Sequence, residues 1–237
     1  MLTGDGRFVV GSPRTTFPQG SFLSGLSQGP QEALLAMGTA REFEPDRVLF
    51  REGESTNHAF LLVDGCVKVT GTTPEGHLAL LAVRVGGDLV GELAAMDGQP
   101  RVATVTTAGR VRARFLSQAD FRRSLAGFSE IAIAVSSSVG VKLRWATRRR
   151  IDFGSREVRI RLARVLAELA GSYGIPSGEH IRIGVSLTQP ELAALVGAAE
   201  PTVHRALAGL RRENIVETGY RRVCVCDRAR LGEVADG

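Results

Sequence analysis

The sequence predicts an α+β chain: an antiparallel β-barrel of jelly-roll type, then one long helix, then a small, mostly helical domain ending in a hairpin. Three observations carry that expectation. Between Arg47 and Ser117, short apolar runs (VLF, AFLLV, CVKVT, LALLAV, ATVTT, VRARFL) are interrupted by turns at Gly53, Asp64–Gly65, Pro74–Gly76, Gly86–Gly87, Gly98 and Gly109. Evenly spaced strands of this kind close most readily into an antiparallel barrel. From about Ser129 to Ile151 apolar residues return at every fourth position, and Ser186–Asn214 reads as two short helices around a tight turn.

The 237 residues suffice for two domains, each with its own core. A 43% hydrophobic and 23% charged composition is that of a globular protein. No run of about 18 apolar residues suggests a membrane span. The opening MLTGDGRFVVGSPRTTF lacks the basic segment and apolar core of a secretory signal, so a cytoplasmic location is expected. Residues 1–20, rich in Gly, Ser, Thr and Pro, are expected to be disordered or loosely attached. Residues 21–127 form the barrel domain, with a short helix near Gln31–Met37. Residues 128–153 form the long helix and hinge, and residues 154–237 the last domain.

Charge is unevenly spread. Residues 1–139 hold 13 Lys and Arg against 14 Asp and Glu, whereas residues 140–237 hold 17 against 11. The excess of +5 therefore sits in the C-terminal part, as expected if that part meets a phosphate backbone. Cys66, Cys224 and Cys226 offer neither a disulfide framework nor a four-ligand metal spacing, and no metal site is expected.

In SLTQPELAALVGAAEPTVHRALAGLRREN, Thr188 can cap a first helix with Glu191 reaching back to it, Pro190 suits its first turn, and Gly197 ends it. Val203, Ala206, Leu207 and Leu210 then give a second helix its apolar side, and small Ala193 lies where the two would cross. This is the pattern of a DNA-binding helix-turn-helix. The expected DNA contacts are Thr188 and Gln189, then Ala199, Glu200, Pro201, Thr202, His204 and Arg205 on the second helix. Ile215–Asp227 reads as a hairpin turning at Gly219–Tyr220, a wing carrying Arg221 and Arg222. Arg205 can fork onto guanine, whereas Glu200 can only accept, most naturally from cytosine, or simply favour the helix N-terminus. The stripe Ile131, Val135, Val139, Leu143 on the long helix suits pairing with a second copy, or docking onto the barrel.

The stretch GGDLVGELAAMDGQPRVATVTT holds Gly91–Glu92 and, nine residues after Glu92, Arg101. A carboxylate can accept from a ribose hydroxyl while a guanidinium forks onto a phosphate. Gly91 permits close backbone approach, and N–H groups beside Val102 and Ala103 can reach phosphate oxygens. Taken alone, a Glu–Arg pair holding a barrel turn has the same signature.

The order barrel, cassette, long helix, winged helix resembles the catabolite-activator-type (CRP/FNR) transcription regulators, over about residues 22–230. FREGE, LVDGCVKV, GDLVGEL and PRVATV are similar to the cyclic-nucleotide-binding barrel, and SLTQPELAALVGAAEPTVHRAL to the DNA-binding unit. The resemblance implies a homodimer on a palindromic double-stranded operator, with RNA polymerase as a further partner and cyclic AMP as effector. It implies Gly91 and Glu92 at the ribose, Arg101, Val102 and Ala103 at the cyclic phosphate, Thr147 at the base, and Leu93 as a further ligand-binding residue. Two positions depart from the pattern: Val102 replaces a frequent Ser or Thr, and Ala146 a hydroxyl residue. A relative answering to another ligand, or to none, stays open at this stage.

Other chemistries find less support. No cysteine precedes Cys66 to ligate an iron–sulfur cluster, and only His77 is placed as a haem ligand in the barrel. His58, His77, His180 and His204 are scattered without catalytic spacing, so neither an enzyme in general nor a cyclic-nucleotide-processing one is expected.

Overall fold

The computed structural model describes residues 17–72, 78–219 and 222–237. A 3-10 turn (Leu23–Gly25) and helix α1 (Gln28–Ala36) precede eight strands: β1 (Thr39–Phe43), β2 (Val48–Phe50), β3 (Ala59–Asp64), β4 (Cys66–Thr72), β5 (Leu78–Val85), β6 (Leu89–Val90), β7 (Thr104–Thr107) and β8 (Val111–Leu116). They form two antiparallel sheets, in the orders β1-β8-β3-β6 and β2-β7-β4-β5. Phe50, Phe60, Leu62, Val67, Val90, Val105, Val111 and Ala113 from both sheets fill the space between them. A jelly roll of this kind is what the evenly spaced runs predicted. Strand β1 and helix α2 (Glu92–Asp97) did not stand out in the sequence. β1 reads TAREF with four exposed residues, so it lacks the apolar alternation that betrays a half-buried strand.

The segment expected to be loose is attached from its first described residue. Phe17 packs against the barrel-side core, Phe22 and Leu23 are buried, and the Gly20 amide donates to the Ser172 carbonyl at 3.2 Å. Residues 1–16 lie outside the described residues.

Helix α3 (Gln118–Gly127) meets α4 (Ser129–Ser155) at a 114° bend. Among the described residues no single helix is long and apolar enough to cross a membrane. The apolar stripe expected along α4 is divided. Ile131 and Val135 are 0% and 1% exposed, packed with Leu23, Leu34, Leu116 and Phe121 beneath the barrel. They are therefore not free to pair with another chain. Leu143 is 66% exposed, and so is Ile133 on the opposite side of the helix from Ile131 and Val135. Val139 is intermediate.

The C-terminal domain comprises α5 (Val158–Tyr173), β9 (Gly174–Ser177), β10 (His180–Ile183), α6 (Gln189–Val196), α7 (Glu200–Arg212), β11 (Val216–Gly219), β12 (Arg222–Val225) and α8 (Arg228–Asp236). Its sheet runs β11-β12-β10-β9. The Thr188–Glu191 capping box is formed: the Thr188 amide donates to Glu191 Oε2 at 2.8 Å. Gly197 ends α6 at φ +67°, where a Cβ would strike the Phe153 ring at 2.4 Å, so both backbone and packing require glycine.

This domain docks on the barrel. Leu80, Val83 and Val85 of β5 share one core with Leu192, Leu195, Leu166 and Leu169. Lys68 on β4 pairs with Glu191 on α6. Burial pushes the Glu191 carboxyl up, but Lys68 and Thr188 outweigh it and hold the group below its ordinary value. Buried Asp88 accepts from the Phe22 and Val85 amides and lies 3.1 Å from the Tyr173 hydroxyl of α5. Arg149 of α4 donates to Leu81 O at 2.7 Å and to Leu195 O, tying three elements together.

Near this junction burial pushes Glu168 on α5 up to about 7, against the pull of Arg84, Arg149 and Arg148. The folded state then holds a proton that the unfolded state releases above its ordinary carboxylate value. Stability from this group is therefore lost as pH rises towards 7 and stays lost above it. Glu168→Gln is expected to raise the melting midpoint at pH 8 and leave it nearly unchanged at pH 4. Parallel pH profiles for the two proteins would refute the assignment.

Candidate nucleotide pocket and DNA-binding surface

Gly91 sits between β6 and α2 at φ +82°, and a Cβ there would lie 2.6 Å from Arg101 Nη1 and 3.0 Å from the His58 carbonyl. The glycine is what lets the Arg101 guanidinium and the His58 carbonyl close in on this turn beside the space that Glu92 and Arg101 line. That space is a cavity of about 360 Å³, within the usual range of small-ligand sites. Gly91, Glu92, Leu93, Arg101, Val102 and Ala103 all line it. Thr147 does not. It is exposed on α4, and the helix instead contributes Lys142, Trp145 and Ala146 to the cavity wall.

Arg101 is 3% exposed and firmly held. Its Nε donates to Thr56 Oγ1 at 2.9 Å, Nη1 to Gly91 O at 3.0 Å and Nη2 to His58 O at 2.7 Å. Its guanidinium lies 4.0 Å over the Phe50 ring. A guanidinium has five N–H donors, so about two remain for an incoming anion. Burial lowers its pKa, countered by Glu54 and Glu92. Burial, with the Arg101 charge, likewise holds His58 below its ordinary value. Glu92 is buried, and Lys142 Nζ donates to it at 2.9 Å and to Leu89 O at 3.0 Å. The alternative reading, a Glu92–Arg101 pair holding the barrel turn, finds no such bridge among the described residues, and Lys142 is Glu92's partner. Val102 is 67% exposed at the cavity rim.

On the other domain, α7 buries Val203, Leu207 and Leu210 and leaves Ala199, Glu200, Pro201, His204 and Arg205 exposed, with Thr202 half-buried. Pro201 occupies its first turn, and Arg205 Nη2 donates to Thr202 Oγ1 at 3.4 Å. Gln189 is exposed and Thr188 half-buried at the start of α6, and Arg222 is exposed on the wing. Arg221, Tyr220 at the wing turn and His77 lie outside the described residues.

Residues 40–127 match the cyclic nucleotide-binding domain model, and residues 160–234 the Crp-like helix-turn-helix domain model. The chain is 30% identical over 216 residues to the CRP-like cAMP-activated global transcriptional regulator of Mycobacterium tuberculosis (strain H37Rv), covering 90% of this chain and 96% of that protein. The chain belongs to the CRP/FNR family of transcription regulators. The anaerobic regulatory protein of Bacillus subtilis (strain 168) is 26% identical over 194 residues, 81% of each chain. Among solved structures, FixK2 from Bradyrhizobium japonicum superposes with a TM-score of 0.71 at 18% identity, covering 84% of this chain and 97% of that one. A CRP-family transcriptional regulator from Thermus thermophilus, TTHB099, gives 0.65 at 25% identity, covering 83% and 97%.

In this CRP/FNR regulator one strand meets both the cavity and the helix-turn-helix domain. The β4–β5 register slips between Val69↔Ala82 and Thr70↔Leu80, a bulge at Leu81. The slip places Leu80 with Val83 and Val85 against the helix-turn-helix domain, while Leu81, Ala82 and Arg84 line the cavity. Neither the bulge nor the Lys142–Glu92 pair has a local signature, because each depends on chain segments distant in sequence.

Proposed function

We propose that the chain is a dimeric regulator whose DNA binding is set by a cyclic nucleotide, with cyclic AMP favoured, in the barrel cavity. The observation that carries this reading is the cavity itself. A carboxylate for a ribose and a pre-positioned guanidinium for a phosphate line one space whose wall includes the long helix. The mycobacterial relative is cAMP-activated by its name, which favours the same effector here. Lys142 donates to Glu92, so a ribose hydroxyl would have to displace or share that contact. The ligand would thereby act on α4 directly, and through β5 on the face that meets α6.

The dimer surface consistent with the packing is the exposed side of α4, where Ile133, Ser136, Gly140, Leu143, Thr147 and Ile151 recur at three- and four-residue steps. Thr147 on that side could meet a base only in a nucleotide held by a second copy of the chain. Two α7 helices related by a two-fold axis would then enter major grooves about 34 Å apart on a palindromic operator. In this reading Arg205 reads guanine, and Arg221 and Arg222 make the wing contacts to phosphate.

Calorimetry with cyclic AMP and cyclic GMP, followed by operator binding in each state, tests the reading. Absence of binding by either nucleotide would overturn the effector assignment. Arg205→Ala is expected to cost about 1–3 kcal/mol on the selected operator while leaving non-specific DNA binding nearly unchanged. Selection from random DNA would locate the base that Glu200 faces, and recovery of the half-site usual for the family would remove Glu200 from the specificity set.

A further inference from the structure

The outer face of the wing sheet carries a group of side chains that neither the nucleotide cavity nor the DNA surface uses. Register pairs Ile181 with Val225, Arg182 with Cys224, and Glu217 with Cys224. Ile183, Val216 and Val225 point into the domain core. Strand alternation then puts His180, Glu217, Cys224 and Cys226 on the opposite face. There one ring nitrogen of His180, a carboxylate oxygen of Glu217 and Cys226 Sγ all lie within 4.8 Å of one another. His180 Nδ1 is buried and has no hydrogen-bond partner among the described residues. All three cysteines of the chain are free thiols.

From this geometry we propose that His180, Glu217 and Cys226 form a site for a divalent transition-metal ion of the zinc class, shared by β10, β11 and the end of β12. The donor set decides the ion. An imidazole nitrogen, a thiolate and one carboxylate suit Zn²⁺, whereas Ca²⁺ and Mg²⁺ take oxygen ligands. A tetrahedral Zn²⁺ with bonds of about 2.0–2.3 Å holds its ligands about 3.3–3.8 Å apart. Side-chain rotation of about an ångström from the present arrangement reaches that spacing, and the fourth position falls to water. Binding releases the Cys226 thiol proton to solvent and changes no oxidation state. The ion would clamp the β11–β12 hairpin to β10 and so fix the wing that presents Arg222.

The ligands are far apart in the chain, which is why cysteine spacing alone does not announce them. Nothing in the site depends on cyclic-nucleotide binding, so it stands or falls separately from the proposed effector.

The test uses the full-length chain, stripped with chelator and titrated with Zn²⁺ against a chromophoric zinc indicator. One ion per chain is expected. His180→Ala and Cys226→Ser should each weaken binding by about 10- to 100-fold or more, and Cys66→Ser, on a different sheet, should leave it unchanged. A measurement on the protein without those substitutions runs alongside: stoichiometric Zn²⁺ should protect Cys226, but not Cys66, from alkylation mapped by mass spectrometry. Zn²⁺ should also raise the melting midpoint of the wild type and not of Cys226→Ser. Failure to bind one ion, unaltered affinity in Cys226→Ser, or alkylation of Cys226 unaffected by Zn²⁺ would each overturn the proposal.

Discussion

Arg101→Ala is expected to lose cyclic-nucleotide binding by about 30- to 1,000-fold, corresponding to about 2–4 kcal/mol for a charge-assisted fork. The side chain already spends donors on Thr56, Gly91 and His58, so it is rigid before any ligand arrives. Pre-positioning of this kind lowers the entropy lost on binding. The same bonds mean that alanine removes a donor from the Gly91 and His58 carbonyls near the cavity and lowers barrel stability as well. Arg101→Lys separates the effects: it keeps a cation but not the fork. It should retain most of the melting midpoint while still binding nucleotide at least about tenfold more weakly. Calorimetry with cyclic AMP, set beside thermal melts of both variants, reads the two quantities independently. Equal nucleotide affinity in wild type and Arg101→Ala would remove Arg101 from the site.

Charge placed on the exposed side of α4 should separate the chains without unfolding them. Ile133→Glu with Leu143→Glu replaces two side chains that are each 66% exposed, so the fold should change in stability by only about 0.5 kcal/mol per site. Sedimentation should then show monomers, and operator affinity should fall by about 10²- to 10⁴-fold as two linked half-site contacts become one. Ile131→Ala is the contrasting substitution. It empties a fully buried position and should cost about 2–5 kcal/mol of stability while leaving the exposed side of the helix intact. Persistent dimers in the Ile133→Glu, Leu143→Glu protein would place the interface elsewhere.

The division of α4 also measures how far sequence reading reaches. Period-four spacing correctly announced a long helix with an apolar stripe, because helical geometry fixes which residues share a face. It did not identify what covers that face. Ile131 and Val135 satisfied the pattern by packing under the barrel, against Phe121 of α3 and Leu23 of the N-terminal segment. The unpartnered positions lie on the other side, where Ser136 and Gly140 interrupt the apolar pattern.

Local chemistry made the helix-turn-helix legible. The Thr188–Glu191 box and the left-handed turn at Gly197 follow from contacts within a few residues, and the spacing of Val203, Leu207 and Leu210 marks one face of a helix. Gly91, Glu92, Arg101 and Ala103 were legible for the same reason: one short segment turns back on itself around the cavity. Strand β1 was not, because its exposed TAREF run owes its conformation to pairing with β8 across about 70 residues.

By itself the sequence determined the order of the units, the caps, the glycine turns and the candidate ligand and DNA residues. The caps and turns rest on backbone preferences and spacings that a short segment sets for itself, and the candidate residues on such spacings together with the resemblance to the family. Only the tertiary structure decided that Lys142 rather than Arg101 pairs with Glu92, that β5 serves two faces through its bulge, and that His180 meets Cys226. Each of those depends on which distant segments burial brings together, and burial is decided by the whole chain at once.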